Sequence, residues 1–449
     1  MEMRRRMIAF VEVVSVAAIA ATAAHAAGVH QNAARDRRAA EAEDAVAALR
    51  AREAARVEAD LRFLRGRVAQ DPFAAADRAR LAGLYAQRAR MTGDYQDYLR
   101  AEREARASLA ARPQRNAAAR VALAGALLSQ HRFAEARAHA DTLVAGDLER
   151  PSYRALLGEL QVETGDYDGA RATFGSLLSS TANLGVAPRL ARWMELNGRT
   201  AEARLLLRRA AHDAEARGDL PREQVAWFHM RLGDLELRAG RVREAEKAFL
   251  AGLRAHPEDY RLLGQMAKVA AARGEWDAVQ ELGGRAIAQV LDPATLAVMS
   301  DAALAAGDSA KAGEYARAME VSVRGQGGAL HRGWGLFLLD RGRAVDQVAA
   351  QAAADLRTRR DVYGYDLLAW AQHRQGKHAE ARRTMAHALR LGTRDPQLFH
   401  HAGMIAHALR DTAAAKRHLS EALDINPEFH PLQANEARAV LRSLPRGPT

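Results

Sequence analysis

The sequence predicts an all-α fold, a solenoid of stacked helical hairpins in which each pair leans on its neighbours. Three observations carry this. Within residues 361–427 two stretches superimpose at an offset of 34 residues, so that Ala381 falls on Ala415, Met385 on Leu419 and Ala388 on Ala422. Hydrophobic residues make up 49% of the chain but aromatics only 5%, and the excess is largely Ala and Leu. That composition suits helices packed closely through small side chains, not sheets rich in Val, Ile and Tyr. Finally, 449 residues exceed what one ordinary core organises, which leaves several domains or one repeat array.

Taken in order, residues 1–27 read as an export signal or membrane anchor. Arg4, Arg5 and Arg6 form a positive start, Met7–Ala24 is apolar, and Ala24-His25-Ala26 fits a small-x-small cleavage site. Glu12 interrupts a stretch already shorter than the roughly 20 clean apolar residues of a spanning helix. A cleaved signal and an uncleaved N-terminal tether both place the body outside the cytoplasm, periplasmic or secreted. Residues 28–71 follow as an amphipathic lead-in helix, with Val46, Leu49, Val57, Leu61, Leu64 and Val68 at three- and four-residue steps.

The repeats begin after Asp71-Pro72. Their small crossing positions are Tyr98, Ala136, Ala170, Ala203, Ala245, Val279, Ala312, Gln347, Ala381 and Ala415, spaced by 38, 34, 33, 42, 34, 33, 35, 34 and 34 residues. Five residues earlier stands a glycine in most of them: Gly93, Gly165, Gly198, Gly240, Gly274, Gly307, Gly342 and Gly376. Glycine there supplies the left-handed turn between helices A and B. Gly158, Gly233, Gly335 and Gly403 mark close helix crossings, and Phe174, Leu207, Phe249, Met385 and Leu419 fill the large apolar site of helix B.

This pattern resembles the tetratricopeptide repeat (TPR) and, with the N-terminal segment, a bacterial exported TPR-repeat protein. The resemblance implies a right-handed α-α superhelix of about ten hairpins. The 42-residue step, with Ala201–Arg217 as one long helix, predicts a division into lobes 72–220 and 221–430. Residues 431–449 form a capping helix and tail, with Gln433, Glu436, Arg438 and Arg442 on its polar outer face.

The charges exclude more than they select. Lys and Arg number 66 against 55 Asp and Glu, a net +11, which favours anionic partners, but the charges are interspersed along helices. No cysteine is present, excluding disulfides and thiolate chemistry. No phosphate-binding loop, H-E-x-x-H, G-x-S-x-G or dinucleotide fingerprint occurs, and Gly325–Gly328 reads as a linker. No enzyme and no cofactor is expected.

In TPR proteins ligands lie in the concave groove lined by helix A. That resemblance nominates Arg80, Gln87, Arg90, Glu159, Arg192, Glu195, Asp234, Arg261, Lys268, Asp301 and Arg332, and Gln397 with a C-terminal set: Tyr363, Asp366, Trp370, His373, His400, Met404 and His407. The signs alternate, unlike a nucleic-acid stripe, so the expected partner is a protein or peptide. Groove asparagines for a carboxylate clamp are missing. Eight of the sixteen histidines fall in 373–430, and His400, Met404 and His407 share one helix face. A metal-handling accessory protein is therefore the alternative, although His400 and His407 are about 10 Å apart along a helix; no metal ligand is assigned.

Overall fold

The computed structural model describes residues 45, 48–49, 51–325 and 332–445. The expected export signal and residues 326–328 of the expected linker lie outside these. Residues 53–449 form one compact unit, and among the described residues there is no strand.

A lead-in helix, α1, covers 51–70. Ten hairpins follow. The first five are α2 (Ala75–Thr92) with α3 (Tyr95–Ala111), α4 (Ala117–Ser129) with α5 (Phe133–Gly146), α6 (Pro151–Thr164) with α7 (Tyr167–Gly175), α8 (Ala187–Leu196) with α9 (Thr200–Glu215), and α10 (Arg222–Arg238) with α11 (Val242–Ala255). The second five are α12 (Tyr260–Ala272) with α13 (Trp276–Ile287), α14 (Pro293–Ala305) with α15 (Ser309–Gly325), α16 (Arg332–Asp340) with α17 (Val345–Asp355), α18 (Val362–Arg374) with α19 (His378–Ala388), and α20 (Pro396–Ala408) with α21 (Thr412–Ile425). The cap is α22 (Gln433–Ser443).

All eight turn glycines have left-handed φ, between +65° at Gly342 and +86° at Gly307. The two hairpins without that glycine adopt the same turn regardless, with His131 at φ +58° and Arg410 at φ +59°. The packing logic holds as well: a Cβ on Gly158 would strike the Phe174 ring, and one on Gly403 the Leu419 side chain.

Three register expectations are corrected. Gln347 is exposed, and Val348 is buried in its place. The cause is one extra turn residue, Ala344, which caps α17 in the left-handed region at φ +49°. Tyr98 is only half-buried, whereas Asp97 and Ala101 are fully buried, because the Asp97 carboxylate is drawn in by Arg88 at 2.6 Å. Gln433, expected on the outer face of the cap, is buried and donates to Asp340 Oδ2 at 3.0 Å.

The solenoid returns onto itself. Val362 N–H donates to Tyr167 Oη at 2.7 Å, Thr393 Oγ1 to Leu196 O at 2.6 Å, and Asn426 Nδ2 to Leu237 O at 2.8 Å, linking residues 195, 197 and 189 positions apart. With 34-residue hairpins, one superhelical turn takes about six of them. The glycine turns allow this closeness: a Cβ on Gly198 would stand 2.7 Å from Gly392 O, and one on Gly240 2.7 Å from Ile425 O. One buried cluster includes Leu207 and Ala210 before residue 220, Phe228 and Leu235 after it, and Val362 from the next turn.

Candidate binding cavity

Because the superhelix turns back on itself, the inner faces of the A helices line a deep cavity that stays partly open to solvent. The result is a cavity of about 590 Å³ bordered by α8, α10, α12, α14, α16 and the N-terminal ends of α18 and α20, with Asn426–Pro431 closing one side. Its lining is charged. Arg192, Arg231, Arg238, Lys268, Arg332, Arg341 and Arg359 face it together with Asp234, Asp301, Asp340, Asp395 and Glu428.

Most of these charges are tied to one another, as burial requires. Arg341 lies 2.7 Å from Asp301 Oδ1, and His430 Nε2 lies 3.2 Å from Asp301 Oδ2. Burial opposes ionisation of Asp301, but His430 and Arg341 hold its pKa below the usual carboxylate value. In return, Asp301 and Asp340 raise the pKa of His430 against its own burial. Behind the wall, burial likewise opposes the charge of Glu195, yet Arg238, Arg192 and Arg231 bring its pKa down to about 2. Tyr363 bridges the two sides. Its ring carries Arg332 and Arg192 at 4.7 and 5.2 Å, its hydroxyl donates to Asp395 Oδ2 at 3.2 Å, and burial pushes its pKa to about 12.

Of the nominated groove residues, Arg192, Asp234, Lys268, Asp301, Arg332, Gln397 and Tyr363 border this cavity. Arg80 is exposed, Arg90 pairs with Glu223 of α10 at 3.1 Å, and Glu159 pairs with Arg189 at 2.6 Å. Arg261 is bound to Asp259 at 2.6 Å.

The C-terminal set sits differently from the expectation of an open contact surface. Trp370 is 3% exposed. Its indole N–H donates to Asp340 at 2.9 Å, and its ring lies between His401 and His373, with centroids at 4.3 and 4.8 Å. Asp366 is fully buried, 2.6 Å from Arg332 and 2.7 Å from His401 Nδ1. His400 is buried against Glu436 of the cap at 3.2 Å. Met404 packs half-buried beside the Leu336–Trp370 cluster, and His407 is half-buried. These side chains join α16, α18, α20 and α22; only Tyr363 among the seven borders the cavity. Burial and neighbouring His378 lower the His373 pKa to about 4. Among the described residues no three His, Asp or Glu side chains are gathered so as to hold a metal ion.

The cavity residues that sequence reasoning missed are of two kinds. Arg231 and Arg238 share a helix face with Asp234 at i, i+3 and i+7, a signal that was available. Arg359, Asp395 and His430 come from segments between hairpins, and only the superhelical return brings them inward.

Fold and cavity together define the class: an α-solenoid of paired helices wound tightly about a charged interior. Comparison with known proteins adds the repeat type, since residues 396–429, the α20–α21 hairpin, match the family model of the tetratricopeptide repeat. No curated protein matches the sequence. Among 183 solved chains that match, one belongs to a structure described as the APC/C hetero-tetramer Cut9-Hcn1. It is 14% identical, with a TM-score of 0.44, and the match covers 82% of this chain and 63% of that one. The chain thus spans less than two thirds of the length of that neighbour.

Proposed function

We propose that this chain is a non-catalytic protein-protein interaction scaffold, exported to the cell envelope, which takes a segment of its partner into the cavity lined by the A helices. The observation that carries the reading is the cavity itself: a stack of helical hairpins has turned seven cationic and five acidic side chains toward one volume of about 590 Å³. Its volume falls in the range of ligand-binding pockets, and its lining is far more charged than the usual apolar one. The tetratricopeptide match at 396–429 supports the scaffold role, and the Arg4–Arg6 start with its apolar sequel supports export.

A photo-crosslinking residue placed at Gln265, on the cavity, is expected to capture a defined partner from native envelopes. The same residue at Arg171, whose side chain is 68% exposed on the outside, should not. Equal labelling from both positions would remove the cavity from the reading. A periplasm-dependent reporter fused after the full chain tests export, with activity expected only when residues 1–27 are retained. The metal-handling alternative gains no support from the C-terminal histidines, since His400 and His401 are buried against carboxylates.

A further inference from the structure

The charges around the cavity are matched on one side and unmatched on the other. Across from α10, Arg341 and His430 share Asp301, while Arg332 and His401 share Asp366. On the wall of α8, α10 and α12, four cations, Arg192, Arg231, Arg238 and Lys268, form ion pairs with only two carboxylates, Glu195 and Asp234, while Glu163 near Arg192 is itself paired with Arg359 at 3.5 Å. Glu195 is already divided between Arg192 at 3.0 Å and Arg238 at 2.7 Å. Asp234 stands 3.6 Å from Arg231, outside hydrogen-bond range. Lys268 has no ion-pair partner among the described residues. Neighbouring like charges repel: burial lowers the pKa of Arg231, with Arg238 and Arg192 adding to it and Asp234 opposing, whereas Glu195 helps to hold Arg192 and Arg238 charged against their burial.

The geometry points to an anion seat: a compact ligand with two or more negative charges, carried as phosphate or carboxylate groups, occupies the cavity against Arg231, Arg238 and Lys268. The arithmetic is local. Four positive charges on this wall share two ion-paired carboxylates, which leaves Lys268 unpaired and Arg231 without a hydrogen-bonded carboxylate. Asp340 and Asp395 on the opposite side accept from neutral donors, Trp370 and Gln433 in one case and Tyr363 in the other. Their charge repels an anion and so confines it to the α10–α12 wall. A volume of about 590 Å³ admits such a ligand with part of its hydration. The inference rests on the cavity being the working surface proposed above.

The test is calorimetric titration of the full chain at low chloride with inorganic phosphate, pyrophosphate and a tetraglutamate peptide. Wild type is expected to bind at least one probe, and Arg231→Gln and Lys268→Gln should each weaken it at least tenfold. Both variants should keep or raise the unliganded unfolding temperature, because each relieves repulsion. Arg171→Gln, on the outside, should bind as wild type does. Pyrophosphate binding tighter than tetraglutamate assigns the seat to a free small anion, and the reverse order assigns it to an acidic segment of the partner; either order supports the seat. No binding by wild type, or undiminished binding by both cavity variants, overturns it. A partner crosslinked through Gln265 without any probe binding would overturn the anion seat while leaving the scaffold reading intact.

Discussion

The hairpins α10–α11 and α16–α17 occupy equivalent places in the stack yet reach stability by different routes. In α10–α11 the hairpin completes itself: Gly233 opens a gap on helix A, and Phe249 of the same hairpin's helix B fills it and is fully buried. In α16–α17 a Cβ on the corresponding glycine, Gly335, would stand 2.9 Å from Leu367 of α18 and 3.4 Å from Val348 of its own hairpin. Helix α16 spans just nine residues, and its ends are anchored outward, Arg332 to Asp366 and Arg341 to Asp301. The consensus hairpin carries its own core, whereas the degenerate one borrows it from the next repeat. A solenoid tolerates this because its stability is a sum of repeat and interface contributions.

The sharpest way to break that comparison is to fill both gaps. A Cβ at Gly233 would fall within the Phe249 ring, which is enclosed on all sides, and overpacking of a rigid core costs about 3 kcal/mol at its upper range. At Gly335 the methyl meets the end of a flexible Leu367, and the helix gains about 1 kcal/mol from replacing Gly by Ala. Gly233→Ala should therefore lower the urea midpoint strongly and Gly335→Ala little, with hydrogen exchange locating the loss in α10–α11. Equal effects would mean that α10–α11 leans on its neighbours as much as α16–α17 does.

The next effect concerns the superhelical return, which neither hairpin encodes alone. Tyr167→Phe leaves the buried Val362 N–H without its 2.7 Å acceptor, a loss of about 1–3 kcal/mol. Protection of amides in α18 should fall although the substitution lies in α7. Protection lost only around α7 would show that the two turns touch without supporting each other.

This division marks how far the sequence could be read. Turn glycines, crossing alanines and the Phe174, Phe249 and Leu419 sites recur about every 34 residues because they act within one hairpin, so a single chain displays them in most of its hairpins. Contacts such as Thr393 to Leu196, or His430 to Asp301, depend on the pitch of the whole coil, a sum of small rotations that no local pattern records. For the same reason Trp370 and His400 read as available groove residues. Both are buried, Trp370 between His401 and His373, and His400 against Glu436 of the cap.

Histidine titration sharpens the contrast at the cap, with a smaller effect. His430 has a raised folded pKa owing to Asp301 and Asp340, with Arg341 opposing. Its contribution is complete below the unfolded value of 6.5 and is lost as pH rises through the folded pKa. His400 behaves oppositely: burial lowers its pKa, partly offset by Glu436, so its contribution holds above 6.5 and fades as pH falls. His430→Gln should flatten the alkaline side of the stability profile and leave the acidic side sloping. A slope unchanged on the alkaline side would place the titrating group elsewhere.

The smallest effect tests the turns. His131 and Arg410 hold left-handed conformations that glycine supplies in the eight other hairpins. The left-handed cost of about 1–2 kcal/mol for an L residue, less about 0.5–1 kcal/mol for the added freedom of glycine in the unfolded chain, leaves a net gain of roughly 0.5–1 kcal/mol on substitution. The two sites should not gain equally. Both side chains are exposed, but the His131 ring meets Phe133 edge-on at 5.5 Å, and glycine forfeits that contact. Arg410→Gly should thus stabilise its hairpin more than His131→Gly, and Gly240→Ala, moving in the opposite direction, should destabilise. If Arg410→Gly proved neutral in urea unfolding, the left-handed turn would be imposed on α20–α21 by its neighbours at no cost, and that consensus hairpin would belong with the borrowing kind.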